Sequence, residues 1–90
     1  MRRLIVTFDL KDPDYNREDI ADLIEEEYDF TRLGRNAFLI DTDDSPSQVR
    51  DYLVSELQRG DKIYVGVTSS PAAWRAMSEE VSDWIHNNLS

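Results

Sequence analysis

The segment Leu4-Ile5-Val6-Thr7-Phe8-Asp9-Leu10 constrains this chain most. Its β-branched and aromatic residues alternate with period two, so it reads as a buried strand. Leu4, Val6, Phe8 and Leu10 fall on one side, Ile5, Thr7 and Asp9 on the other. The strand carries one carboxylate, Asp9, to its C-terminal end. The second side is too apolar to face water throughout, so both sides need cover.

The following segments supply it in a regular order. Lys11-Asp12-Pro13-Asp14-Tyr15 is a turn-forming loop. Asn16 reads as the N-cap of a helix, with Glu18 and Asp19 in its first turn and Tyr15 and Ile20 as a hydrophobic staple. Ile20, Leu23, Ile24 and Tyr28 mark its buried face, and Glu25-Glu26-Glu27 a solvated one. Two strands follow, Phe30–Leu33 and Ala37–Asp41, joined by Gly34-Arg35-Asn36 as a hairpin. Ser45, Pro46 and Gln48 form a capping box for a second helix, with Val49, Leu53 and Leu57 as its buried stripe, Tyr52 beside them and Gly60 as its stop. Ile63–Val67 is a fourth strand, in which Gly66 leaves room for close approach of another element. A last helix, the longest, is expected over about 70–88, from Ser69 or Ser70 with Pro71 at its first position. Trp74, Met77, Val81, Trp84 and Ile85 recur along it at helical spacing.

The order β-α-β-β-α-β, then a helix, gives an α+β fold: a ferredoxin-like two-layer sandwich with strands one and three central. The chain is expected to be one domain over 1–90, with a core over 1–68 and the C-terminal helix added. Leu4, Val6, Phe8 and Leu10 should face the two crossover helices. Tyr64 and Leu39 join Ile5, Thr7 and Asp9 on the open face. The last helix either covers part of that face or helps to build a dimer. Trp74 and Trp84 read as packing residues rather than ligand contacts.

A chain of 90 residues buries only about 60–65% of its unfolded surface, so its core must pack well or be helped by a partner. There is no cysteine, which excludes disulfides and thiolate metal sites. No signal peptide and no membrane span are read, so a cytoplasmic protein is expected. The net charge of -9 disfavours non-specific nucleic-acid binding, but leaves room for a local basic patch. Acidity of this kind also suits docking on a basic protein partner.

In this topology Asp9 shares one sheet edge with Lys11, Asp12, Asp14, Arg32, Arg35, Arg59, Asp61 and Lys62. A phosphate-bearing ligand fits there, with Arg32, Arg35 and Arg59 as its contacts and Asp9 holding Mg²⁺. Magnesium uses one or two carboxylates, so a twofold dimer pairing two copies of Asp9 would complete the set. The plainer alternative is that Asp9 ends the strand or pairs with an arginine. His86 is the only histidine and reads as a helix-end residue. Thr68-Ser69-Ser70-Pro71 reads as a cap, and Asp41-Thr42-Asp43-Asp44 as a turn at the opposite edge.

Val6-Thr7-Phe8-Asp9-Leu10 resembles the opening motif of the small CRISPR adaptation nuclease family (the second Cas protein) and of its VapD-type toxin ribonuclease relatives. That resemblance implies a ferredoxin-like homodimer, with Asp9 as the proposed catalytic metal ligand. Asn36–Ile40, Ala72-Ala73-Trp74 and Ser78–Ile85 are similar to short SinR-like bacterial proteins, a resemblance that spans nearly the whole chain and implies no activity. The nuclease family usually has a more basic face and a C-terminal strand that crosses to the dimer mate, whereas this tail reads as an acidic helix. Two functions are thus expected as alternatives: a Mg²⁺-dependent endonuclease or an inactive relative of one, or an acidic non-catalytic module that binds a basic, nucleic-acid-handling protein.

Overall fold

The computed structural model describes residues 2–69, 72–75 and 77–89. The opening strand β1 (Arg2–Asp9) lies at the centre of a four-stranded antiparallel sheet with β2 (Asp29–Gly34), β3 (Ala37–Thr42) and β4 (Lys62–Val67). The order is β2-β3-β1-β4, so β1 and β3 are central, as the element order predicts. The helices α1 (Pro13–Glu27) and α2 (Pro46–Leu53) cover one face, and α3 (Glu79–Leu89) reaches the other.

The alternation in β1 is kept. Leu4, Val6 and Phe8 are buried under α1 and α2, and the register sets Val6 opposite Phe38 and Leu4 opposite Ile40. Ile20, Ala21 and Ile24 from α1 and Val49 and Leu53 from α2 close this core. A second, smaller cluster lies on the open face. There Leu39 and Ile85 are buried, with Ile5, Leu33, Trp74, Val81 and Trp84 packed around them. The last helix therefore covers part of the open face, over its β2–β3 half.

The capping box of α2 forms as expected. Ser45 Oγ accepts from Gln48 N at 3.2 Å, and Gln48 Oε1 accepts from Ser45 N at 2.7 Å. The end of α2 differs from expectation. The helix stops at Leu53, a 3-10 turn spans Val54–Glu56, and Leu57 meets the core from an extended backbone. Gln58 N donates to Asp61 Oδ2 instead of continuing the helix. Gly60, at φ 95°, belongs to the turn closed by Asp61 N on Gln58 O; its position after Arg59 demands a left-handed residue.

The start of α1 also differs. Pro13 takes the first helical turn after Asp12, so Asn16 lies inside the helix rather than capping it. Asn16 is buried, while Tyr15 is 66% exposed, so no staple forms. The proline set the boundary, because its fixed φ and missing N–H suit a first position.

The C-terminal helix is shorter than expected and is not the longest. It has 11 residues against 15 in α1, and Ala72–Arg75 are not helical. Ser70 and Pro71 lie outside the described residues. Ser78 caps the helix instead, its Oγ accepting from Val81 N at 3.3 Å. Trp74 folds back from the preceding segment, donating to Ser82 Oγ at 2.9 Å and meeting the His86 ring at 5.0 Å.

Candidate functional site

Asp9 closes β1 on the open face, where its side chain is exposed. Antiparallel pairing with β4 places Lys62 directly across from it, Tyr64 across from Thr7, and Gly66 across from Ile5. Thr7, Phe8, Asp9, Lys62, Ile63 and Tyr64 line a shallow hollow at this end of the sheet. Among the described residues, no hydrogen bond or ion pair engages the Asp9 carboxylate.

The loops around Asp9 are held by main-chain contacts. Phe8 N donates to Asn36 O at 3.0 Å, which brings the Arg35-Asn36 turn beside β1. On the other side Asp61 ties two connections together. Its Oδ1 accepts from Lys11 N at 2.8 Å, and its Oδ2 accepts from Asn16 Nδ2 at 3.0 Å and Gln58 N at 2.7 Å. These bonds, the Lys11 one first, hold the Asp61 carboxyl below the usual aspartate value, since each favours the charged form. Asn16 Nδ2 also donates to Glu56 O at 2.7 Å, and its buried Oδ1 has no partner among the described residues.

The expected arginines divide. Arg35 and the turn carrying Arg59 lie at the Asp9 edge, and neither side chain is in an ion pair among the described residues. Arg32 turns to the helical face. It forks onto Glu18 of α1 at 3.4 and 3.3 Å, reaches Glu25 at 3.9 Å, and lies 5.1 Å from the Phe38 ring centroid. Its remaining donors go to Gly34 O and Arg35 O. The bond and charge of Arg32 hold the Glu18 carboxyl below its ordinary range. A register shift between Arg32 and Gly34 accompanies this arrangement.

Sequence reasoning missed the Asp61 knot. The signal was present: an acid directly after the Arg59-Gly60 turn and before a strand, a position from which a carboxylate can collect amide donors.

As a holder of Mg²⁺, Asp9 offers a free carboxylate but half a set. Among the described residues no group of three acidic, histidine or cysteine side chains stands close enough to hold a metal. The acids of the opposite edge form a turn, as expected: Thr42 Oγ1 accepts from Asp44 N at 3.1 Å. Among the described residues no helix is long and apolar enough to cross a membrane. No protein-family model matches this chain, and no curated protein matches it either.

Proposed function

We propose that this chain is a cytoplasmic protein of the CRISPR-adaptation-nuclease kind, acting as a homodimer, in which Asp9 of each copy supplies half of a Mg²⁺ site for phosphodiester hydrolysis. The observation that carries this reading is the position of Asp9. It ends a central strand, stands exposed and unpaired among the described residues, and lies at the end of the open face away from the last helix. Bound Mg²⁺ supplies Lewis-acid stabilisation to a phosphodiester oxygen. Lys62, Arg35 and Arg59 offset the phosphate charge. In the reaction water adds to phosphorus, the bond to the leaving oxygen breaks, and that oxygen takes a proton.

Incubation of the purified chain with labelled RNA and DNA oligonucleotides tests this. Cleavage should need Mg²⁺, stop with chelator, and be lost in Asp9→Ala at unchanged Tm. Undiminished cleavage by that variant identifies a contaminant and ends the proposal.

A second reading has its own support. Arg32 is spent on Glu18 and Glu25, and the chain has a net charge of -9. Both suit an acidic, non-catalytic module that docks on a basic nucleic-acid-handling protein. That reading predicts a specific complex, weakened by salt, and an Asp9→Ala variant that binds as the wild type does.

A further inference from the structure

The exposed aromatic ring of Tyr64 sits two residues from Lys62 on the same strand and the same face. Its residue is 63% exposed, on the β4 side of the sheet. The ring does not stand away from the sheet. A Cβ built at Gly66 would come 2.8 Å from Tyr64 Oη and 2.9 Å from its Cε1. The glycine therefore lets the ring lie along the sheet surface, with one face toward solvent. The Cα atoms of Lys62 and Tyr64, two apart on the strand, are about 7 Å apart. The ring leans from there over Gly66, away from Lys62, so that it is the long Lys62 side chain that spans the gap to a phosphate.

We infer that Tyr64 is a stacking platform for a base of single-stranded nucleic acid, with the adjoining phosphate at Lys62 beside Asp9. This deepens the reading of the Asp9 edge and rests on it for the class of ligand. Base stacking on an aromatic ring requires an unpaired, splayed base, so the ligand is single-stranded rather than duplex. The charge at this edge is balanced, with Lys11, Lys62, Arg35 and Arg59 beside Asp9, Asp12, Asp14 and Asp61. What favours a phosphate is that Arg35 and Arg59 are in no ion pair among the described residues. Stacking tolerates any base, so little sequence preference follows.

The test is fluorescence anisotropy with labelled oligouridylate and oligothymidylate in EDTA, so that binding is read without cleavage. Tyr64→Ala should raise Kd about 5- to 150-fold, and Tyr64→Phe should stay within about twofold of wild type. Gly66→Ala should also weaken binding, because it turns the ring without removing it. Lys62→Gln should reduce the slope of log K against log salt by about 0.7. Equal Kd values for the wild type, Tyr64→Ala and Gly66→Ala overturn the inference and leave the ring as cover for the glycine. Loss of binding only in step with loss of a dimer in sedimentation also overturns it, and makes this face a contact between copies. Failure of the nuclease reading looks different: Tyr64-dependent binding with no Mg²⁺-dependent cleavage sustains the platform and ends that reading.

Discussion

Asn16 and Asp61 are joined side chain to side chain at 3.0 Å, so the first turn of α1 and the connection before β4 are fastened to each other. The two residues are far apart in the sequence, and the segment that carries Asp61 would otherwise be a free loop. Lys11 N and Gln58 N end on the same carboxylate. The strand ends bearing Asp9 and Lys62 inherit that fixity.

Replacing Asn16 by alanine removes two donors from a buried position and takes from Glu56 O the side-chain donor that it accepts from. Loss of such a buried hydrogen-bonding group costs about 1–3 kcal/mol. Urea unfolding should show this as a lower midpoint with an unchanged slope. Amide exchange at Lys11 and Gln58 should quicken, while that of Val6 should not.

Acid should loosen the same region. The folded-state values of Asp61 and Glu18 are depressed below 3.8 and 4.5. Their contributions are complete above those ordinary values and are lost as pH falls through the lower folded ones. Thermal unfolding followed from neutral pH to pH about 2 should show Tm falling over that range. Asp61→Asn should flatten the fall, and carboxyl titration by NMR should give Asp61 a midpoint below 3.8.

Alkali should act through Tyr28. Burial, then the nearby Asp44 and Glu27 charges and Tyr52, push its phenol from 10.0 up to about 12. Its contribution is complete below 10.0 and is lost as pH rises toward 12. Phenolate absorbance should show one tyrosine titrating late, and Tyr28→Phe should remove both that step and the alkaline loss of stability.

Phe38 and Tyr15 should differ sharply under truncation. Phe38 is fully buried between β1 and β2, and its ring neighbours are Phe8, Phe30 and the Arg32 guanidinium. Phe38→Ala should cost about 3–5 kcal/mol. Tyr15→Ala should stay within about 0.5 kcal/mol, because the residue is exposed and staples nothing. Guanidinium unfolding of the two variants checks both.

The sheet order and the α2 cap were legible because they rest on local signals: alternation in Leu4–Leu10, and Ser45, Pro46 and Gln48 in fixed spacing. The edge shared by Asp9, Lys62 and the Arg35-Asn36 turn followed from that order. Arg32 was not legible. Its direction depends on the irregularity beside Gly34 and on where Glu18 and Glu25 of another element stand. Asn16 offered a capping side chain at a plausible place, yet Pro13 had already started the helix. Trp74 kept helical spacing with Val81 and Ile85 but reaches them from a non-helical segment. The same pattern arises when a chain folds back on a helix, and spacing alone does not separate the two cases.

The two apolar clusters are unequal, and that inequality has a kinetic meaning. Among the described residues, twelve buried ones hold β1, β3, α1 and α2 together, whereas two, with partly buried neighbours, hold α3 to the sheet. Few buried contacts mean a small opening free energy. The Trp84 bond to Asp29 Oδ1, at 3.1 Å, is exposed and adds little. The last helix should thus behave as a separate cooperative unit, detaching and reattaching many times for each global unfolding. Amides of α3 should exchange through that shallow opening, while those of β1 wait for the whole domain.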